Sequence, residues 1–205
     1  MKKRILLTIA LWAIIMSCVA QDQWGSWSSL QIGKSWERFY TSLRYEYRSN
    51  ENWKGIDCYF IRPTVGYKFT SWLKCDLSYD YYHKRGCDQN RILLSVTGTL
   101  KRDGLSVSLR ERYVAAFNIG EEGISHVLRS YLKAMYTIDT KGIAVSPYLA
   151  VELYTWDKWR MSHHFVGAAV KADKHNSIEL FYAWNISNSK AHADNIIGMG
   201  YTYDF

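Results

Sequence analysis

The chain has 205 residues, with 26 Lys and Arg against 19 Asp and Glu, a formal charge of +7 and 48 % apolar residues, enough for a single domain. Its basic residues are spread along the chain and accompany no nucleic-acid-binding motif, which argues against a nucleic-acid partner. Aromatic residues reach 16 %, with 16 Tyr and 9 Trp, a composition suited to a membrane interface, yet no apolar run is long enough to cross a bilayer as a helix.

Lys2, Lys3 and Arg4 precede an apolar run from Ile5 to Met16, and Ser17-Cys18-Val19-Ala20 supplies small residues for cleavage. This is the layout of a secretory signal peptide over residues 1–20, and removing its three basic residues lowers the charge to +4. Ile15-Met16-Ser17-Cys18 is also an imperfect lipobox that would lipidate Cys18, but Met16 fits it poorly and cleavage after Ala20 is preferred. Residues 21–36 read as an N-terminal extension beneath the folded domain, with a short strand as an alternative over 26–33.

From Glu37 the chain alternates with a period of two. Residues 37–48 place Phe39, Thr41, Leu43, Tyr45 and Tyr47 opposite Arg38, Tyr40, Ser42, Arg44, Glu46 and Arg48. The same rhythm runs through 58–69, 72–84, 90–101, 105–117, 126–138, 143–156, 160–172, 177–187 and 195–205. About ten such strands, with twelve as the alternative, predict an all-β fold over 37–205, an antiparallel up-and-down transmembrane barrel. Short linkers such as Thr70-Ser71 and Arg102-Asp103-Gly104 alternate with longer breaks, as periplasmic turns alternate with external loops, so both termini are expected on the periplasmic side. The last strand sends Ile197, Met199, Tyr201, Tyr203 and Phe205 to one face. It resembles the closing strand of bacterial outer-membrane barrels, whose terminal aromatic residue is read by the barrel-insertion machinery. Met199, Tyr201, Tyr203 and Phe205 are therefore the expected insertion signal.

Some residues resist this pattern. Pro63 and Pro147 fall inside strands, where a missing N–H removes a ladder bond, so a bulge or a shifted boundary is expected at each. The register that turns Leu105, Val107 and Leu109 toward lipid also turns Glu111 there, for which a bulge is again the expected remedy.

The polar face carries Arg38, Arg44, Glu46, Arg48, Arg62, Asp76, Asp80, Arg129, Glu152 and Glu179. Within a narrow barrel these charges compensate one another across the lumen. In a soluble lipocalin-like lipid binder, the competing reading, they would face solvent and the apolar set would face inward. Of the cysteines left after cleavage, Cys58 and Cys87 are expected at the outer rim, within reach of a disulfide, and Cys75 at the opposite end.

Trp24, Trp27 and Trp36, the strand Glu37 to Arg48, Arg110 and Arg112, Pro147-Tyr148 with Glu152, and the terminal strand carry a resemblance over nearly the whole chain. In these the chain resembles the uncharacterised Gram-negative outer-membrane barrels grouped as domain of unknown function 2490 (DUF2490). The resemblance implies an outer-membrane location and supplies no activity.

No residue is assigned a catalytic role. Ser162, His163 and His164, or His126 with Ser130, are the hydrolase or acyltransferase candidates, with Glu152 or Glu179 as the acid, and an enzyme is the less favoured reading. No ligand spacing suggests a metal, and no cofactor is expected. A structural or binding barrel with a side-chain-filled polar lumen is favoured over a narrow channel. Outer-membrane lipids and, during biogenesis, the barrel-assembly machinery are the expected partners; the oligomeric state is left open. If Phe205 ends the insertion signal, the Phe205→Asp variant should show reduced outer-membrane levels and periplasmic accumulation on fractionation.

Overall fold

The computed structural model describes residues 23–50, 53, 55–120, 123–140, 142–156, 158–187 and 194–205. The expected signal peptide and Cys18 lie outside these residues. The described residues form twelve strands: β1 (Trp24–Trp36), β2 (Phe39–Asn50), β3 (Gly55–Lys68), β4 (Leu73–Lys84), β5 (Cys87–Arg102), β6 (Leu105–Asn118), β7 (Ile124–Tyr136), β8 (Ile138–Thr140), β9 (Ile143–Trp156), β10 (Lys158–Lys171), β11 (Asn176–Ser187) and β12 (Asn195–Asp204). They close into a barrel in which β9 pairs with β10 and β12 pairs with β1, leaving no free edge between staves.

β7 and β8 are one stave. Met135 pairs with Tyr148 and Ile138 with Val145 in a common register, and only Tyr136 and Thr137 fall out of the ladder. The gap lies opposite Pro147, which has no N–H to give, and Thr137 Oγ1 and Ser146 Oγ bridge it at 3.0 Å. Pro63 acts similarly without a register shift: the β3–β4 ladder lapses at Arg62 and Pro63 and resumes at Thr64. Neither proline needs the bulge or the shifted boundary expected at it, since the register is the same on both sides of each.

Counting β7 with β8, the barrel has eleven staves. The eleventh is β1, so residues 24–36 belong to the wall and are not an extension beneath it. An odd number makes the closing pair parallel: Trp24 lies beside Asn195 and Gly33 beside Asp204. The start of β1 and the end of β12 therefore lie at opposite ends of the barrel, against the expectation of two termini on one side. β1 was hard to read because Ser26 and Ser28 share the outward positions with Leu30 and Ile32.

At one end of the barrel, the turn end, connections are tight. Asp103 and Gly104 both have positive φ, 47° and 82°, as a two-residue turn matching strand twist requires. In the turn before β11, Asp173 accepts from the side chain of Asn176 and from the backbone N–H groups of His175 and Asn176. The Asn176 amide first, then these N–H groups, hold its carboxyl below the usual range. At the other, loop end, connections vary more in length: one residue separates Trp156 from Lys158 and two separate Lys84 from Cys87, whereas seven separate Ser187 from Asn195.

Leu30, Val65, Leu94, Leu109, Leu149 and Leu180 face outward and are about half exposed. This apolar band encircles the wall while charges point inward, the reverse of a lipocalin-like core. No register shift interrupts β6, and Glu111 faces outward with the apolar set, accepting from Ser130 Oγ at 2.7 Å.

Inward aromatic rings lie over glycines directly across the ladder: Tyr40 over Gly66, Tyr148 over Gly167 and Phe181 over Gly198. A Cβ on Gly198 would come within 1.9 Å of the Phe181 ring, whereas one on outward Gly98 would meet nothing within 4 Å. Gly198→Ala should therefore cost about 1–3 kcal/mol by overpacking. Gly98→Ala should be neutral, as read from heat-modifiable electrophoretic mobility over a temperature series.

Candidate functional site: a lumen packed with arginine

Period-two alternation sends one residue in two from each stave into the lumen, and β2, β3, β4, β6, β7 and β9 all place charges at mid-height. Arg44 lies directly across the ladder from Arg62, and Arg112 from Arg129. Like charges so placed repel, so carboxylates elsewhere on the wall must intervene.

Three carboxylates do most of this. Glu46 accepts from Arg44 at 2.6 Å and from Arg48 at 2.7 Å. Asp80 takes Arg62 in a two-point contact at 2.5 and 2.7 Å. Glu152 binds Arg129 through both oxygens at 2.9 Å, Arg110 at 3.1 Å and the Tyr154 hydroxyl at 3.0 Å. All three carboxylates are 4 % exposed or less. Among the described residues Arg112 has no carboxylate at ion-pair distance; its Nε donates to Ser95 Oγ at 2.8 Å.

Aromatic rings fill much of the remaining space. Trp27, Phe165 and Phe181 meet edge-on or tilted within 6.2 Å, joined by Tyr131 against Phe165. Arg48 lies 3.8 Å from the Trp27 ring centroid, Arg91 3.3 Å from that of Tyr82 and Arg129 4.6 Å from that of Tyr154. Lys133 sits over Tyr148 and reaches Glu179 across the lumen at 3.0 Å.

Two cavities flank this layer. The one toward the loop end, about 550 Å³, is lined by Arg48, Arg91, Arg129 and Arg160 on its polar side and by Trp27, Phe60 and Tyr154 on its aromatic side. The one toward the turn end, about 240 Å³, is lined by Arg44, Lys74, Asp76, Arg110 and Arg112. Arg62, clamped by Asp80, borders both.

Of the charges read from the sequence as lumenal, Arg44, Glu46, Arg48, Arg62, Asp76, Asp80, Arg129, Glu152 and Glu179 lie on the inward parity of their strands. Arg38 does not: it is exposed in the β1–β2 turn and donates to Tyr67 Oη at 3.5 Å. Lys74, Arg91, Arg110, Arg112 and Lys133 are also inward and were not among the expected lumenal charges, although each shares the parity of the inward polar residues on its strand. Met199 and Phe205 are outward and exposed, and Tyr201 and Tyr203 occupy the same parity.

The hydrolase candidates do not converge. Ser162 and His164 are outward, paired at 3.1 Å, with His164 stacked on Trp184. Their cross-strand neighbours Leu153, Val151, Ile186 and Trp184 supply no acid. His163 points inward to Glu152, with Nδ1 at 3.9 Å. His126 meets the Tyr113 hydroxyl, while Ser130 donates to Glu111. Cys58, Cys75 and Cys87 are free. Cys58 and Cys87 flank Lys84 on opposite sides, two interstrand spacings or about 10 Å apart, beyond the roughly 7 Å that a disulfide tolerates. The expected bridge is therefore not formed. Among the described residues no three His, Cys, Asp or Glu side chains cluster as a metal site.

An outward apolar band and an inward layer of charged side chains define a membrane-spanning β-barrel. The chain belongs to the family described as "Protein of unknown function (DUF2490)", which matches residues 24–196. Among solved structures it is similar in fold to "NanC porin structure in rhombohedral crystal form", at 12 % identity and a TM-score of 0.52 over 85 % of this chain and 92 % of that one. No curated protein matches it.

Glu152→Gln should leave Arg110 and Arg129 without their shared counter-charge and cost about 3–5 kcal/mol. Arg38→Ala, at the exposed turn, should change little. Heat-modifiable mobility of both variants beside wild type checks this contrast.

Proposed function

We propose that this protein is an outer-membrane barrel whose lumen binds small anions and is closed to bulk diffusion. The observation that carries the reading is the carboxylate-bridged arginine layer, Arg44–Glu46–Arg48, Arg62–Asp80 and Arg110–Glu152–Arg129, lying between the two cavities. Eleven staves enclose a lumen between the eight-stranded barrels that side chains fill and the 16–18-stranded porins that keep an aqueous channel. Long arginine side chains are suited to blocking a bore of that size, and each ion pair is a specific lock on its geometry.

Charge points to the kind of solute. Around the layer, Lys74, Arg91 and Arg112 have no carboxylate at ion-pair distance among the described residues. Rings of Arg and Lys favour anions and repel cations. Location in the outer membrane, export through residues 1–20 and insertion through Met199, Tyr201, Tyr203 and Phe205 complete the proposal, supported by the outward apolar band and the porin-like fold. The separation of Ser162 from His163 on opposite faces leaves a hydrolase reading without support.

Planar-bilayer recording tests this. The wild-type protein should give a conductance far below that of an open porin, with any residual current anion-selective by reversal potential. The Arg62→Ala/Asp80→Ala double variant, which removes one self-contained ion pair of the layer at the border of both cavities, should conduct more. A large, steady wild-type conductance would overturn the closed-lumen reading.

A further inference from the structure

The turn-end cavity combines features that together select a ligand. Arg112 and Asp76 line it at 6 % and 8 % exposure. Arg112 donates through Nε to Ser95, lies across the ladder from the like charge of Arg129, and has no carboxylate at ion-pair distance among the described residues. Lys74, on the same wall as Asp76, reaches over the Tyr40 ring at 5.1 Å and likewise has no carboxylate at ion-pair distance. Arg44, Arg62 and Arg110 add charge, but each already has a carboxylate partner.

Asp76 supplies the complementary need. Its Oδ2 accepts from the Tyr40 hydroxyl at 3.1 Å, while Oδ1 is buried without a hydrogen-bond partner. A donor brought to Oδ1 would satisfy it, worth about 1–3 kcal/mol, so an anion that also carries a proton to donate suits this cavity better than one that does not. Hydrogen phosphate does both at neutral pH. Sulfate and simple carboxylates bring the charge and lack the proton, leaving Oδ1 beside a further negative oxygen. At about 240 Å³ the cavity has room for a phosphate and a few of its waters, each water needing about 30 Å³.

We propose that the turn-end cavity is a hydrogen-phosphate site, with Arg112 and Lys74 neutralising the anion and Asp76 Oδ1 accepting its P–OH hydrogen. The proposal rests on the anion-binding reading of the lumen and gives it a preferred chemistry.

Isothermal titration calorimetry on the folded barrel in detergent micelles, with inorganic phosphate, sulfate and chloride at matched ionic strength, tests it. Phosphate should bind about tenfold or more tightly than sulfate, a discrimination of the size expected for one unmet buried acceptor. Asp76→Asn, which exchanges the acceptor for an amide that can donate, should bring the two anions within about threefold. Lys74→Gln should weaken phosphate binding about tenfold while retaining wild-type heat-modifiable mobility, so the proposal does not depend on an Arg112 variant folding. Equal binding of phosphate and sulfate by wild type, no saturable phosphate binding, or unchanged discrimination in Asp76→Asn would each overturn the site. Bilayer conductance separates the two levels: a closed barrel that ignores phosphate loses this site alone, whereas a large conductance removes the closed lumen.

Discussion

Closure of the backbone hydrogen-bond ladder is the constraint on which the rest of this structure depends. In hydrocarbon an unpaired N–H or C=O costs several kcal/mol, so every stave must find a neighbour on each side. β12 would present an open edge if β1 were not there to take it. Once the ring is closed, period-two alternation leaves each side chain two choices, toward the lumen or away from it, and the apolar band and the charged interior follow together. Glu111 shows how rigid this is: with no bulge to re-aim it, it stays among the outward apolar residues and takes a hydrogen bond from Ser130.

Closure also decides how the charges meet. Arg44 opposite Arg62 and Arg112 opposite Arg129 would be unfavourable on a free sheet. Curvature lets side chains from non-adjacent staves approach, so Arg110 of β6 reaches Glu152 of β9 and Lys133 of β7 reaches Glu179 of β11. The layer holds more guanidinium than carboxylate, and a stabilising design would balance the two or replace both with apolar residues. The surplus around Arg112 is a cost to stability that a bound anion would relieve. The glycines beneath Tyr40, Tyr148 and Phe181 serve the same interior by letting rings lie flat on the wall and leave room for the arginines.

The fold was legible where alternation was strong. From Phe39 to Arg48 and from Leu73 to Tyr82, the outward and inward sets can be read directly, because a strand in a barrel has just two faces and lipid rejects charge from one of them. β1 was not legible as a wall strand. Its outward serines blur the pattern, and nothing local to residues 24–36 reveals that the count of staves is odd. The inward parity of Arg110 and Arg112 is legible in the sequence, since both follow from the register that turns Glu111 outward.

By itself, then, the sequence determined the strand type, the two faces of most strands and the inward placement of most charges, all of which depend on residue parity alone. The tertiary structure decided that there are eleven staves, that the closing pair is parallel and that Cys58 and Cys87 stand apart on either side of Lys84. It also decided which carboxylate most of the inward arginines take, leaving Arg112 and Asp76, whose Oδ1 is buried without a partner, to line one cavity. Those outcomes depend on registers between strands distant in sequence and on the curvature of the closed wall. Period-two spacing carries no information about either, because every strand repeats it whatever its neighbour.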